Sequence, residues 1–137
     1  MRALLLICGT VIASLAQAGE LLIIASPQVP VSTITAEQLA DIFTLKKTSW
    51  NKNIHVVPVN REASSEERET FSEQVFNLPP QELADYWNRL RFQGKLPPLI
   101  QTSDQAVLSF VRSVPGAIGY INASQRPSGV KILMQIP

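Results

Sequence analysis

Residues 56–71 read VVPVNREASSEERETF, and this stretch is the most informative part of the chain for the fold. It begins in a short, valine-rich apolar run. Residues 54–59 are predicted to form a strand, and this strand ends in Asn60 and Arg61. After a short loop, the hydroxyl and acidic residues SSEE at 64–67 are typical of the start of a helix. A strand that passes through a short loop into a helix is the unit from which α/β domains are built.

The alternation of strands and helices continues on both sides of this stretch. Short runs rich in Ile, Leu and Val predict further strands at residues 20–26, 117–121 and 130–136. Capping residues or prolines, followed by apolar residues at spacings of three and four, predict helices at 35–45, after the proline pair at 79–80 and from 103 onward. We therefore expect an α/β domain whose mixed or largely parallel sheet is covered by helices on both faces.

The N-terminus has the layout of a secretory signal peptide. Arg2 supplies a positive charge, residues 3–15 are almost wholly apolar, and AQA at 16–18 is a small-x-small cleavage signal. The apolar run is shorter than the ~20 residues that a membrane-spanning helix needs. We expect cleavage after Ala18, a domain of residues 19–137, and a periplasmic protein without membrane insertion. Cys8 lies in the predicted signal peptide, so we expect no disulfide or thiolate chemistry in the domain.

Composition and charge restrict the possible function classes. The chain has 137 residues, 45% of them hydrophobic and 17% charged, which suits one globular domain. It carries 12 Lys and Arg against 11 Asp and Glu, and because only Arg2 precedes Gly19, the two signs balance in the rest of the chain. Nucleic-acid binding and polybasic membrane anchoring both need a basic excess, so we expect neither.

The loop between the predicted strand and the following helix is a candidate anion site. Backbone N–H groups converge at a helix N-terminus, where they attract anions. Arg61 adds a cation whose fork can bind an oxyanion through two hydrogen bonds. The candidate ligand-binding residues are therefore Arg61, Ser64 and Ser65.

A structural interpretation of the same residues is slightly favoured by the sequence alone. In this alternative, Ser64 caps the helix in a capping box with Glu67, and Arg61 pairs with Glu62, Glu66 or a neighbouring helix. The two glutamates that begin the helix already place negative charge where an anionic ligand would sit.

No residue pattern points to catalysis or to a metal site. His55 lies in a predicted strand with no Cys, Asp or Glu at ligand spacing, and no Gly-rich phosphate loop, Ser-His-Asp order or carboxylate pair is found. We therefore expect no enzyme activity, no metal and no cofactor. The basic residues between 89 and 95 are typical of a solvated helix end. Four aromatic residues could line a pocket, although packing in the core or at a domain edge fits them better: Trp50, Trp87, Phe92 and Tyr120.

Four segments, in order, resemble the substrate-binding proteins of phosphate ABC transporters. They are residues 34–50 (ITAEQLADIFTLKKTSW), 56–71, 84–94 (ADYWNRLRFQG) and 115–121 (PGAIGYI), and the second resembles the family's phosphate signature. The resemblance implies one lobe of a type II periplasmic-binding-protein fold, with Arg61 and Ser65 at ligand positions and Ser64 beside them. It also implies an exported transport protein that binds phosphate or a related oxyanion, with an ABC permease, a sensor protein or a second copy as partner.

The chain departs from the family pattern within that signature. The family reads Arg-Ser-Asp-Gly-Ser-Gly-Thr, whereas residues 61–67 read REASSEE. Glu66 and Glu67 replace the Gly-Thr pair and would repel a phosphate dianion. The alternative function is therefore a non-transport periplasmic interaction or sensory module that keeps the fold and has lost high-affinity phosphate binding. Arg61 and Ser65 favour the first function, while the two glutamates and the balanced charge favour the second.

Overall fold

The computed structural model of the protein describes residues 20–137. The predicted signal peptide, its cleavage site and Cys8 lie outside the described residues. Within the described range, no helix has the length and apolar character to cross a membrane. In chain order the elements are β1 (Leu21–Ala25), α1 (Ala36–Phe43), β2 (Val57–Arg61), α2 (Glu66–Phe76), a 3-10 helix (Pro80–Leu83), α3 (Ala84–Phe92), β3 (Leu99–Gln101), α4 (Asp104–Ser113), β4 (Ala117–Asn122) and β5 (Lys131–Ile136).

The five strands form one mixed sheet in the order β3-β2-β4-β1-β5. β2 is parallel to β3 and to β4, whereas β1 is antiparallel to β4 and to β5. The predicted α/β class with a mixed sheet flanked by helices is confirmed. Because β2, β3 and β4 are parallel, their carboxyl ends meet at one edge of the sheet.

Helices cover both faces of the sheet, as expected. On one face Tyr120 of β4 packs with Phe43 of α1 and Phe71 of α2 in the larger core cluster. On the other face Val59 of β2 packs with Val107 of α4 in a second cluster. The alternation of side chains along each strand supplies both clusters, since successive residues point to opposite faces.

Two helix starts follow the predicted capping chemistry. Thr35 Oγ1 accepts a hydrogen bond from the Gln38 backbone N–H at 3.1 Å, and Gln38 Oε1 accepts one from the Thr35 N–H at 3.0 Å, which completes a capping box. At the start of α4, Ser103 Oγ accepts from the Ala106 N–H at 3.0 Å. These bonds satisfy backbone donors that have no partner inside their helices.

The strand predictions around the candidate site need correction. β2 covers Val57–Arg61, so it begins later than the predicted run of residues 54–59 and ends in Asn60 and Arg61, where its end was expected. They pair in parallel with Ile100 and Gln101 of β3, a strand that the sequence did not predict. β3 has three residues and follows two prolines. A strand this short contains no periodicity from which it could be recognised.

Candidate functional site

The candidate site lies at the carboxyl edge of the parallel strands. Arg61 is the last residue of β2, and Asn122 is the last residue of the neighbouring strand β4. α2 and α4 begin at the same edge because each follows one of the parallel strands. Ligands of open α/β sheets bind at this edge. The fold therefore places the predicted site residues where a ligand site is expected.

The guanidinium of Arg61 is surrounded by carboxylates of the protein itself. Its Nη1 donates to Asp104 Oδ1 at 2.6 Å, and its Nε and Nη2 donate to Glu62 Oε2 and Oε1 at 3.2 and 3.0 Å. Glu67 Oε2 lies 3.7 Å from the same Nη1. The Arg61 side chain is only 8% exposed. The arginine thus forms internal ion pairs with Glu62 and with Asp104 of the neighbouring helix α4, as in the structural alternative. Glu67 takes the place of Glu66, so the pairing with Glu66 considered there is wrong. Arg61, Glu62, Glu67 and Asp104 are called the Arg61 cluster below.

Asp104 is the member of the Arg61 cluster that the sequence analysis missed. It is the first residue of α4 and was interpreted there only as part of a helix start. Its Oδ2 accepts from the Asn122 backbone N–H at 3.2 Å, while its Oδ1 binds Arg61. Asp104 therefore connects the ends of β2 and β4. The signal that would reveal it is the strand order, because only that order brings the start of α4 next to the end of β2.

The charges of the Arg61 cluster shift one another's pKa values. Burial acts to lower the pKa of Arg61, but its hydrogen bonds to Glu62 and the nearby charges of Glu67 and Asp104 outweigh burial and raise that pKa. The hydrogen bond from Arg61 lowers the pKa of Glu62. Burial raises the pKa of Asp104, and repulsion from Glu67 raises it further. The hydrogen bond from the Asn122 backbone and the contacts with Arg61 act to lower that pKa, but they are outweighed.

Ser65 caps α2, whereas Ser64 is an exposed residue that precedes the cap. Ser65 Oγ accepts from the Arg68 backbone N–H at 3.1 Å and donates to the Glu62 carbonyl oxygen at 2.8 Å. The capping box of Ser64 with Glu67, which the structural alternative contained, is therefore wrong. The Ser65 hydroxyl is engaged both as donor and as acceptor inside the protein.

The N-terminus of α2 carries its own negative charge. Glu66, Glu67 and Glu69 all lie in its first turn, where they neutralise the positive end of the helix dipole. Arg68 lies in the same turn, and its Nη1 donates to the Arg61 carbonyl oxygen at 2.9 Å. Across residues 20–137, no group of three or more His, Cys, Asp and Glu side chains could hold a metal ion. An incoming anion would meet carboxylates before it reached Arg61.

A buried hydrogen-bond network fixes the backbone at Arg61. The Tyr120 hydroxyl accepts from the Arg61 backbone N–H at 3.1 Å and donates to Asn60 Oδ1 at 2.6 Å. The Tyr120 ring stacks on Phe71 with centroids 4.1 Å apart. Burial raises the pKa of Tyr120, so its hydroxyl remains a donor at neutral pH. This network, which the sequence analysis did not anticipate, holds the end of β2 in a fixed position.

A groove lies next to the Arg61 cluster, between α3 and the β2–β3 side of the sheet. It has a volume of about 250 Å³ and is lined by Asn60, Arg68, Trp87, Arg91 and Ile100 among other residues. The groove is concave and close to the carboxyl edge of the sheet, so it is a second candidate for binding.

The four aromatic residues considered for a pocket have different environments. Tyr120 is fully buried, and Trp50 packs against the same core cluster, as core packing predicts. Trp87 is half-buried and lines the groove. Phe92 is 93% exposed, so the prediction that it packs in the core is wrong. The last residue of α3 therefore presents its aromatic ring outward.

Comparison with known proteins identifies relatives of this fold. A family model described as "PBP superfamily domain" matches residues 9–132. A Clostridium perfringens protein, assigned as a phosphate ABC transporter substrate-binding protein and solved with bound phosphate, is 26% identical, with a TM-score of 0.68 over 85% of this chain. An ABC-type phosphate transport receptor from Vibrio cholerae is 22% identical, with a TM-score of 0.64 over 82% of this chain. PstS from Borrelia burgdorferi is 21% identical, with a TM-score of 0.59 over 85%.

The chain spans about half the length of these structures or less. It covers 45% of the Clostridium protein, 44% of the Vibrio protein and 50% of the Borrelia protein. The likeness to the last two concerns the fold alone. The five-stranded mixed sheet and its four α-helices correspond to one lobe, which confirms the resemblance drawn from the sequence. Since the family model matches nearly the whole chain, this protein belongs to the family described as PBP superfamily domain.

Proposed function

We propose that this protein is a periplasmic interaction module that keeps the substrate-binding fold and does not capture free phosphate by itself. The observation that carries this proposal is the Arg61 cluster. Each nitrogen of the Arg61 guanidinium donates to a carboxylate oxygen at 3.2 Å or less. An oxyanion would have to compete with Glu62 and Asp104 for these donors.

Phosphate binding at Arg61 would have to open this cluster. Breaking a buried ion pair costs about 3–5 kcal/mol when one charge is left without its partner. The displaced carboxylates would also remain near the dianion, where like charges repel. A cost of ~4 kcal/mol corresponds to a loss of affinity of roughly a thousandfold. We therefore expect weak phosphate binding by the isolated protein, even though Arg61 lies at the correct edge of the sheet.

The two serines support the same proposal. Ser65 would have to give up the hydrogen bond that it donates to the Glu62 carbonyl oxygen before its hydroxyl could donate to an external oxyanion. That change would leave the Glu62 carbonyl oxygen without this donor, although Ser65 could still accept from the Arg68 N–H. Ser64 is exposed and could reach a ligand, but a single surface hydroxyl contributes little to the binding of a charged ligand.

A second candidate function is the capture of phosphate with Arg61, Ser64 and Ser65 as ligands. Two observations favour it. Arg61 lies beside the N-terminus of α2 at the edge where anions bind in this class of fold. The 26% identical Clostridium perfringens structure holds phosphate. In this candidate, an ABC permease, a sensor protein or a second copy of the chain would supply further ligands and displace the carboxylates from Arg61.

Both candidates place the protein in the periplasm and give it a binding role without catalysis. The proposal rests on the layout of residues 1–18 and on the relatives, which are phosphate transport proteins. Amino-terminal sequencing of the protein from a periplasmic extract should begin at Gly19. A protein that begins at Met1 and stays with the cytoplasmic fraction would contradict the export proposal.

Calorimetric titration with inorganic phosphate tests the proposed function. The wild type is compared with a Glu62→Gln/Glu67→Gln variant, which removes two of the negative charges that face Arg61. The matched control is Glu66→Gln/Glu69→Gln, which removes the same charge from the first turn of α2 away from the guanidinium. We expect no saturable heat for the wild type or the control, and measurable phosphate binding for the first variant.

Two results would contradict the proposal. Saturable micromolar binding by the wild type that disappears in Arg61→Ala would establish the phosphate-capturing candidate. Equal phosphate binding by both glutamate variants would show that the total negative charge of the region, and not the ion pairs of Arg61, controls phosphate binding.

A further inference from the structure

Most of the exposed large hydrophobic side chains gather in one segment. Among residues 20–137 they are Phe92 at 93% exposure, Leu96 at 79%, Ile100 at 54%, Leu99 at 53% and Ile132 at 49%. The first four fall between the end of α3 and β3, and the fifth lies on β5 at the opposite edge of the sheet. Single exposed apolar residues are ordinary, but a concentration of them in one short segment is typical of an interaction surface.

The same segment is basic, although the charges of the domain balance. Residues 86–103 contain Arg89, Arg91 and Lys95 and no Asp or Glu. Asp85 and Asp104 lie immediately outside the segment. A partner that covers this surface must therefore supply negative charge together with apolar side chains.

The groove extends this surface and is lined by hydrogen-bond donors. Arg68 and Arg91 contribute to its lining, and no carboxylate does. Asn60 also lines it and is only 7% exposed. Asn60 Oδ1 accepts from a tyrosine hydroxyl, whereas its Nδ2 has no acceptor among residues 20–137. The groove thus offers amide and guanidinium donors to carbonyl or carboxylate oxygens, with the Trp87 ring as an apolar wall.

β3 offers backbone hydrogen bonds next to this groove. It is the last strand on its side of the sheet and pairs only with β2 within the described chain. Natural edge strands are commonly protected by charged side chains, but Leu99 and Ile100 of β3 are exposed apolar residues. β3 is short, but its free edge lies beside a groove, which is the arrangement that accepts an added strand from another chain.

On the basis of the proposed interaction function, we infer that β3 and the groove dock an extended, acidic peptide segment of a partner protein. The segment adds to β3 as a further strand. Its apolar side chains pack on Ile100 and Trp87, and its carboxylates pair with Arg91 and Arg68. β3, the groove and residues 86–98 together are called the β3 surface below.

The observations favour a peptide over two other occupants. If a second copy docked through the same surface, Arg89, Arg91 and Lys95 of the two copies would face one another, and the repulsion of like charges opposes such a contact. An anionic membrane would suit the protruding Phe92, but it would leave unused both the concave donor groove and the free strand edge. An acidic extended peptide uses all three features.

The test selects ligands from a library of random short peptides displayed on phage, with the purified protein as target. Selected peptides are then synthesised and titrated by fluorescence polarisation. The test variants are Ile100→Asp and Arg91→Glu, both at exposed positions where folding should be retained. Their controls are Ile132→Asp, on the opposite edge at similar exposure, and Arg126→Glu, an exposed arginine elsewhere.

We expect the selected peptides to be rich in Asp or Glu and in β-branched or aromatic residues. Each test variant should weaken binding by about tenfold or more, as the loss of a central interface contact does, while the controls bind like the wild type. Hydrogen exchange should show that the bound peptide protects amides of β3. This protection separates strand addition from simple charge attraction.

Several results would overturn the inference. One is a selection in which the wild type enriches no more peptides than an Ile100→Asp/Arg91→Glu target does, and another is a set of peptides that bind the test variants as tightly as the wild type. A third is Phe92-dependent binding to phosphatidylglycerol vesicles. A fourth is a dimer of the wild type that Ile100→Asp dissociates. Peptides whose affinity is the same for the wild type and Ile100→Asp would contradict this inference but would not contradict the proposed function. Saturable phosphate binding by the wild type would contradict the proposed function whatever the peptides do.

Discussion

Arg61 joins three elements of the fold through one buried cation. Glu62 follows β2, Glu67 lies in the first turn of α2, and Asp104 begins α4. The guanidinium is well suited to this task because it offers hydrogen bonds in a fixed plane and stays charged. The same properties suit oxyanion binding. The carboxylates around Arg61 therefore decide which of the two roles it has.

Arg61→Ala is expected to destabilise the protein. It would leave three carboxylates close together without their cation, and loss of one partner of a buried pair costs about 3 kcal/mol or more. The matched control is Arg126→Ala, whose exposed side chain should contribute less than ~0.5 kcal/mol. Urea denaturation followed by circular dichroism measures both values. A cost below ~1 kcal/mol for Arg61→Ala would contradict the structural role assigned to the cluster.

Glu62 and Asp104 should affect stability with opposite dependence on pH. The pKa of Glu62 lies below its ordinary 4.5 in the folded protein, so Glu62 stabilises the fold above that value and its contribution is lost as the pH falls. The pKa of Asp104 lies above its ordinary 3.8, so the folded state holds that proton more tightly. Ionisation of Asp104 therefore costs stability as the pH rises from 3.8 through the raised pKa.

Glu62→Gln and Asp104→Asn separate these two effects. Relative to Glu62→Gln, the wild type should lose stability as the pH falls through the range in which Glu62 titrates. Relative to Asp104→Asn, the wild type should gain stability over the same fall. Urea denaturation at a series of pH values measures both differences. Two slopes of the same sign would show that the Arg61 cluster does not have the assigned electrostatics.

At the scale of elements, the start of α2 shows how an internal cap and an external anion site compete for the same groups. Ser65 uses its hydroxyl for the Arg68 N–H, and the acidic residues of the first turn offset the helix dipole. α2 is therefore complete without a ligand. An anion-binding helix start would leave its donors open for the ligand.

Ser65→Ala should cost about 1 kcal/mol of stability because it removes the cap of α2. Ser64→Ala is the matched control, since it removes the same hydroxyl from an exposed position just before the cap. It should leave the free energy of unfolding nearly unchanged. Thermal denaturation of the two variants measures the difference. The reverse order of effects would restore Ser64 as the capping residue.

The predictable elements were those whose signals are local. The capping box of Thr35 with Gln38 could be recognised because its residues are three apart in sequence. β3 could not be recognised, because three residues show no periodicity and its pairing with β2 depends on a distant part of the chain. The start of β2 was predicted too early, because the apolar run begins at Ile54 whereas the pairing with β4 begins at Val57.

For the whole molecule, sequence patterns and the family resemblance together predicted the fold class, and the sequence alone favoured an ion-paired Arg61 but did not name Asp104 or Glu67 as its partners. The alternation of elements required only local patterns. The contact of Arg61 with Asp104 spans 43 residues and depends on the strand order, which no local pattern reveals. A balanced net charge also does not show how the charges are distributed: the start of α2 is acidic and the β3 surface is basic.

The central claim is that the guanidinium of Arg61 is held by the protein's own carboxylates, so that free phosphate does not reach it. The most direct measurement is nuclear magnetic resonance of the Arg61 Nε–H signal during titration with phosphate, with Arg61→Lys to assign the signal. The account predicts a hydrogen-bonded Nε–H whose shift stays constant as phosphate is added. A saturable shift of this signal, together with the backbone amides at the start of α2, would show an open phosphate site and contradict the account.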